Sequence, residues 1–133
     1  MRYRPTLMKN FIKLCSVVAL ALAASFFAGC NDYNNPGDHR PPAGFGAIIV
    51  DNHTYNDIHV FIDGVQRDDV RDSRDKAYDV LPGVHRVVLD ERGGNHTYRA
   101  DIDVLVGRNT ILDVTYAVGY PTYYDVAVFF KSP

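Results

Sequence analysis

Short runs of alternating apolar and polar residues constrain the fold of this chain more than any other feature. In the segment 110–116, for example, Leu112, Val114 and Tyr116 alternate with an aspartate and a threonine. A period of two is typical of a β-strand with one buried face, and no window after residue 47 holds a helical period. Seven such runs, rich in Val, Ile, Tyr and Phe, follow one another: AIIVDN, IHVFID, AYDV, HRVVLD, YRADIDVLV, TILDVTY and DVAVFF.

Turn residues separate these runs, at Asp63-Gly64, Pro82-Gly83, Gly93-Gly94 and Gly107-Arg108-Asn109. Seven short strands at this spacing predict an all-β fold, a single antiparallel β-sandwich of the immunoglobulin or transthyretin type. We expect this domain to span residues 47–133. The runs 47–52 and 125–130 are interpreted as edge strands, where a second copy of the chain could pair.

The order of turns and strands also carries a family resemblance. FIDG at 61–64, LPGVHRVVL at 81–89 and DVLVGRNTILDV at 103–114 resemble the PEGA-type domain, a β-sandwich related to carboxypeptidase-regulatory-like modules. The resemblance covers residues 47–118 and implies a non-catalytic envelope module that binds other surface components. The chain departs from the family pattern in the long charged segment 65–76 and in an added strand after Gly119.

Residues 1–29 have a different character from the rest of the chain. Four basic residues lie within the first 13 positions, and the run Leu14 to Phe27 carries no charge. This run of 14 residues is shorter than the roughly 20 apolar residues that a membrane-spanning helix needs. A basic start, a short apolar run and small residues at its end predict a secretory signal peptide over residues 1–29.

The signal ends in Phe27-Ala28-Gly29-Cys30, which resembles the bacterial lipobox. The resemblance implies that the Cys30 thiol is acylated and that the chain is cut before it, leaving residues 30–133 anchored to a membrane. Phe27 departs from the usual leucine, and a buried cysteine in a signal cut elsewhere is the alternative. Two or three acyl chains make membrane release negligible, whereas one anchors only marginally.

The segment 31–46, NDYNNPGDHRPPAGFG, is rich in Asn, Pro and Gly. This composition buries too little apolar surface to fold, so residues 30–46 are predicted to be a lipidated, disordered tether. By resemblance to enteric lipoproteins, in which Asp at this position retains the protein at the inner membrane, Asn31 favours the outer membrane, and Asp32 works against this assignment. The predicted location is therefore the cell envelope, lipid-anchored at the outer membrane, on either its periplasmic or its surface face.

The charge of the exported part excludes one class of partner. All 16 acidic residues follow Cys30 but only 10 of the 14 basic residues do, so residues 30–133 have a net charge of -6. Nucleic acid binding needs a basic stripe that neutralises phosphates. We therefore expect no nucleic acid partner, and a membrane partner only through the lipid anchor.

The sequence offers few residues in arrangements that support catalysis or cofactor binding. The serines after Cys30 are Ser73, inside the charged segment, and Ser132, and neither sits on a strand-to-helix turn. The carboxylate pairs Asp68-Asp69 and Asp101 with Asp103 are interpreted as solvated. Four aspartates and four basic residues balance to zero in the charged segment, without calcium-loop spacing, which predicts a solvated loop. We therefore expect the protein to have no catalytic activity and to bind no cofactor.

The tetrapeptide NHTY occurs twice, at 52–55 and 95–98, each time before a predicted strand. Paired histidines suggest a zinc or copper site. With seven strands that reverse at every connection, however, His53 and His96 are expected at opposite ends of the sandwich, roughly 17–20 Å apart. His53 could then approach His85 at one end, and His96 could approach Tyr120, Tyr123 and Tyr124 at the other. His85 shares a strand face with Val87 and Leu89, which favours a satisfied core histidine over a metal ligand. The favoured interpretation is Asn turn chemistry followed by a strand-opening tyrosine, and metal binding stays open.

The segment 119–125, GYPTYYD, gathers Tyr120, Tyr123 and Tyr124 around a proline. Tyrosine is enriched in binding surfaces because it buries a large area with few rotors. These three residues form the candidate partner-contacting loop. The predicted function is a lipid-anchored envelope protein, structural or adhesive, that contacts an envelope protein or glycan. The alternatives are a small-ligand or metal-binding lipoprotein and, more remotely, a hydrolase based on Asp and His.

Overall fold

The structure is a computed structural model that describes residues 35–133. The described residues form eight strands and no helix. The strands are β1 (Gly46–Asn52), β2 (Ile58–Ile62), β3 (Val65–Gln66), β4 (Asp75–Val80), β5 (Gly83–Glu91), β6 (Thr97–Val104), β7 (Asn109–Tyr116) and β8 (Tyr124–Lys131). The predicted signal-peptide segment and Cys30 lie outside the described residues.

The strands form two four-stranded sheets, which confirms the prediction of an all-β fold. Sheet A has the order β4-β1-β7-β8 and sheet B has the order β3-β2-β5-β6. The prediction of a fully antiparallel fold is wrong at one place, because β1 and β7 run parallel with Ile49 beside Ile111. The other strand pairs are antiparallel.

The segment 65–70 explains this difference. It runs from one end of the sandwich to the other, and the seven predicted strands do not include this passage. A two-residue turn at Asp63 (φ 53°) and Gly64 (φ 78°) has the left-handed conformation of a tight hairpin. The chain then runs antiparallel along β2, first as β3 and finally through backbone hydrogen bonds of 2.8 and 2.9 Å between Ile58 and Val70. Every later strand therefore runs opposite to the predicted direction.

The main core lies between the two sheets and is built from the inward residues of each alternating strand. Ile48 and Val50 of sheet A face Val60 and Leu89 of sheet B across this core. Val70, 1% exposed, inserts from the otherwise charged segment 65–76. The segment was predicted to be a solvated loop, and most of it is exposed, but Val70 fixes it to the core.

Strand β1 is buried on both faces, and its position corrects the interpretation of 47–52 as an edge strand. Ala47 and Ile49 are fully buried and pack with Ile111 on the second face of sheet A. A strand buried on both faces reads as a continuous apolar run, as AIIV does, and such strands lie inside a sheet. The interpretation of 125–130 is confirmed, since β8 is an edge of sheet A.

Residues 35–46, the described part of the predicted tether, contact sheet A. The Asn109 side-chain amide donates hydrogen bonds to the carbonyl oxygens of Gly37 (3.4 Å) and His39 (2.7 Å). The His39 Nε2 atom lies 2.6 Å from Asp79 Oδ1 on β4. The chain then enters β1 at Gly46, close to the loop after β6, where Gly107 N donates to Phe45 O at 2.7 Å.

Replacing Val70 by Ala tests whether the segment 65–70 is fixed by its one buried side chain. We expect Val70→Ala to lower the free energy of unfolding by about 2 kcal/mol, because it removes fully buried methyl groups. Val65→Ala on the same segment is the matched control: Val65 is 56% exposed, so its loss should change stability by less than about 0.5 kcal/mol. Urea unfolding measures both, and equal effects would contradict this account of the crossing.

Candidate functional site

Five tyrosines gather at the end of the sandwich where β7 ends and β8 begins, and we call this the tyrosine end: Tyr55, Tyr116, Tyr120, Tyr123 and Tyr124. Tyr120 and Tyr123 of the candidate contacting loop are 65% and 57% exposed, whereas Tyr124 is only 5% exposed. Tyr55, from the loop after β1, is 84% exposed. Tyr124 thus packs in the core, and the loop offers Tyr120 and Tyr123 to solvent.

The tyrosine end is organised by one buried carboxylate, that of Glu91 at the end of β5. Its Oε1 atom accepts hydrogen bonds from Asn56 Nδ2 (2.6 Å) and the Tyr116 hydroxyl (3.0 Å). Its Oε2 atom accepts from the backbone N–H groups of Asn95 (3.0 Å) and His96 (3.2 Å), and lies 2.7 Å from His96 Nδ1. Five donors saturate the acceptor capacity of a carboxylate. The group therefore holds two loops and the end of β7 together.

These donors decide the ionisation state of Glu91. Burial alone would raise its pKa, but the hydrogen bonds from His96, Asn56, the His96 backbone and Tyr116 together outweigh burial and lower the pKa from 4.5 to about 2. The carboxylate is therefore charged at neutral pH. Gly94 leaves room for it, because a Cβ atom at that position would overlap the Glu91 carboxylate.

The His96 ring lies among aromatic rings above this carboxylate. Its centroid is 4.6 Å from that of Tyr116 and 5.6 Å from that of Tyr124. On the other side of the cluster, the Tyr55 ring lies 6.1 Å from Tyr116. Aromatic pairs at 4.5–7 Å each add roughly 0.5–1.5 kcal/mol beyond area burial. Burial raises the pKa of the Tyr124 hydroxyl, and the nearby Glu91 charge raises it further.

The loop that carries Tyr55 is held by a second buried polar residue, Asn52. Its side-chain amide donates to the carbonyl oxygens of Asn56 (2.9 Å) and Arg71 (3.0 Å). Its Oδ1 atom accepts from the backbone N–H (2.9 Å) and hydroxyl (2.6 Å) of Thr54. This is the local Asn turn chemistry that the sequence predicted for NHTY. The hydrogen bond to Arg71 links the Tyr55 loop to the residue that follows the segment 65–70.

The two NHTY segments lie at the same end of the sandwich, which corrects the prediction that they lie at opposite ends. Tyr55 of the first segment and His96 of the second both contact Tyr116. The extra crossing by residues 65–70 is the reason, since it returns the β5–β6 loop to the end where β1 finishes. His85 lies at the other end, beside Asp63, so the expected approach of His53 to His85 is also wrong.

The repeated sequence does not give a repeated structure. Asn52 is fully buried in β1, whereas Asn95 is exposed in a loop. His53 Nε2 lies 3.2 Å from Asp51 and 3.6 Å from Asp113 on the outer face of sheet A. His96 instead contacts Glu91. Within residues 35–133, no group of three or more His, Cys, Asp or Glu side chains has a geometry that could hold a metal ion.

The remaining candidate residues occupy structural positions. His85 Nδ1 lies 2.7 Å from Asp63 and its Nε2 lies 2.7 Å from the Leu81 carbonyl, so this histidine is satisfied, as predicted. Asp101 pairs with Arg86, which lowers the pKa of Asp101. Asp103 and Ser73 are exposed.

No membrane-spanning helix is found among residues 35–133. An open polar depression of about 600 Å³ lies between the ends of β3 and β4, and no tyrosine-end residue lines it: Gln66, Arg67, Asp68, Lys76, Ala77, Tyr78 and Asp79.

A scan against protein-family models finds no match for this chain, and a search of curated proteins finds none either.

Glu91 is the residue that the sequence analysis missed, although a signal for it was present. His85, Val87 and Leu89 were assigned to one face of a strand, and the same period of two places Glu91 next on that face. A carboxylate in phase with core residues needs hydrogen-bond donors. The donors come from Asn56, His96 and Tyr116, which are distant in sequence from one another and which only the tertiary fold brings together.

Replacing Glu91 by Gln tests its role in holding the loops. Because the pKa of Glu91 is lowered from 4.5 to about 2, the carboxylate stabilises the fold above its unfolded pKa and loses this effect as the pH falls toward 2. We expect Glu91→Gln to lower the free energy of unfolding by on the order of 2 kcal/mol at neutral pH. The difference from the unsubstituted protein should shrink as the pH falls from about 5 to about 2.5.

The matched control is Asp103→Asn, which removes an exposed carboxylate on β6 and should change stability by less than about 0.5 kcal/mol. Chemical denaturation across this pH range measures the three proteins. A loss of stability in Glu91→Gln that is independent of pH would contradict a charged, hydrogen-bonded Glu91.

Proposed function

We propose that this chain is a lipid-anchored protein of the bacterial cell envelope, exported by residues 1–29 and acylated on Cys30. Its β-sandwich, which we propose to be PEGA-like and non-catalytic, contacts another envelope protein or a glycan through the loops of the tyrosine end. The role is structural or adhesive. The lipobox resemblance at Phe27 to Cys30 supports the anchor, and Asn31 favours the outer membrane over the inner one.

The observation that carries the contact surface is the exposure of Tyr55, Tyr120 and Tyr123 at one end of a rigid sandwich. Exposed tyrosine rings bind with low entropy cost when their backbone is already held in place. Here the backbone is held, since Thr97 N donates to Thr122 O at 3.1 Å and Ala117 N donates to Tyr123 O at 3.3 Å. The rings therefore present apolar area that needs little ordering on binding.

The path of the chain also supports this surface. The segment that leads from the proposed anchor enters β1 at Gly46, and β1 must run its length before it reaches the tyrosine end. A strand of seven residues spans roughly 20 Å. Entry at the opposite end leaves the exposed tyrosines accessible to a partner.

A non-catalytic role is supported by the saturation of Glu91, the one buried carboxylate among residues 35–133, because a lowered pKa makes the group a poor nucleophile and a poor general base. Glu91 and His96 are the carboxylate and histidine pair closest to what a hydrolase needs. Both Glu91 oxygens already accept hydrogen bonds from the protein's own side chains and backbone. A carboxylate in this state acts as a structural support for the loops around it.

Palmitate labelling tests the proposed anchor. We expect a palmitate analogue to label the full chain in a bacterial host, and Cys30→Ser to abolish the label because it removes the acylated sulfur. Cys15→Ser is the matched control, since it removes the other cysteine of the chain and should leave labelling intact. Unchanged labelling of Cys30→Ser would refute the assignment.

Cross-linking in isolated envelopes tests the contact surface. We expect cross-linked protein or glycan adducts. Their yield should fall about tenfold when Tyr120 and Tyr123 are both replaced by Ser, because tyrosines that become buried in an interface often carry much of its binding energy. Leu81→Ser is the control at the opposite end, where the side chain is 62% exposed. Adducts that persist in the tyrosine variant, with its unfolding midpoint unchanged, would rule out this surface.

A further inference from the structure

Strand β8 is an edge that lacks the usual protection against pairing. It has eight residues and pairs only with β7 in sheet A. Its interior, Val126 to Phe130, contains no charge, proline or glycine. Native edges are normally blunted by charges, proline, bulges or short length. The edge strand β6 of sheet B follows this rule, because it exposes Arg99, Asp101 and Asp103.

The exposed side chains of β8 are apolar on both faces of the sheet. Val128 and Phe130, which alternate in phase with the core residue Tyr124, are 40% and 57% exposed. Phe129, on the outer face opposite Ile111, is 52% exposed. Large apolar side chains on adjacent positions of a bare edge form a surface that a partner strand would cover.

The sequence of β8 is complementary to itself when read in the antiparallel direction. A two-fold axis at Val128 places Asp125 of one copy opposite Lys131 of the other, twice. The same register places Ala127 opposite Phe129 on the outer face, a small side chain against a large one, and Val126 opposite Phe130 on the inner face. Registers centred on residue 127 or 129 keep the faces matched but separate the charges from each other.

We propose that β8 pairs antiparallel with β8 of a second copy of this chain, in the register centred on Val128, to form a continuous eight-stranded sheet. Backbone hydrogen bonds along the edge supply the association, and the cross-strand side-chain pairs add to it. The Asp125–Lys131 pairs, repeated at both ends, fix the register.

The charged and structural surroundings are compatible with this dimer. Within residues 35–133, neither Asp125 nor Lys131 forms an ion pair, so both are available to the partner. The Lys131 side chain lies over the backbone of Gly37, and a change of rotamer brings its ammonium group to the edge.

The symmetry of the dimer also places the two segments that lead into β1 on the same side of the dimer. A two-fold axis perpendicular to the sheet keeps the two outer faces of sheet A on the same side of the dimer. Gly37 and His39, which contact Asn109 and Asp79 on that face, would therefore approach from one side in both copies. Two chains anchored in one membrane can form this dimer.

Cysteine cross-linking of the detergent-solubilised full chain tests the register. Val128→Cys should form an intermolecular disulfide under mild oxidation, because Cα atoms of directly opposite residues lie about 4.5–5.5 Å apart. Val126→Cys is the control, since its symmetry mate lies roughly 13 Å away in this register and the substitution keeps both charge pairs. The unsubstituted chain corrects for Cys15 and Cys30. Cross-linking of Val128→Cys no greater than that of Val126→Cys would overturn the proposal.

A charge exchange provides an independent test by light scattering of the same solubilised protein. Asp125→Lys and Lys131→Asp each place like charges opposite one another twice, and each should weaken the dimer about tenfold. The double variant D125K/K131D restores both pairs with their signs exchanged, and should dimerise as the unsubstituted chain does. A monomer in every variant, or equal dimerisation in all four proteins, would overturn the proposed pairing.

Discussion

The backbone pairing of residues 65–70 along β2 is the constraint on which the rest of this structure depends. It begins at a two-residue turn and ends where Val70 enters the core beside Ile58. This one crossing sets the direction of every later strand. It makes β1 and β7 parallel, and it brings the loop before β6 to the end where β1 and β7 finish.

The buried charge of Glu91 then gives that end its organisation. A carboxylate in a protein interior is stable only when donors surround it, and the donors of Glu91 come from two loops and from the end of β7. The same contact set therefore aligns the Tyr55 loop, the His96 loop and Tyr116. The exposed tyrosines rest on this support, and their proposed role in binding follows from exposure on a fixed backbone.

The sequence predicted what depends on local pattern. The period of two located seven of the eight strands within a few residues, and Tyr120 and Tyr123 are exposed as a contacting loop requires. The strand β3 was missed because its two residues, Val65 and Gln66, lie in a run of charges that hides any alternation. Once β3 was missed, the ends at which His85 and His96 lie relative to His53 could not follow, because both residues come after the missed crossing.

The claim that joins the fold to the proposed function is that the Tyr55 loop and the His96 loop meet at the tyrosine end. Nuclear Overhauser contacts from the Tyr116 ring test this claim most directly. The predicted result is contacts from Tyr116 to both the Tyr55 and the His96 rings, whose centroids lie 6.1 and 4.6 Å away. Contacts from Tyr116 to His96 without any to Tyr55, together with contacts between Tyr55 and residues near His85, would show that the chain crosses the sandwich one time fewer and would contradict this structure.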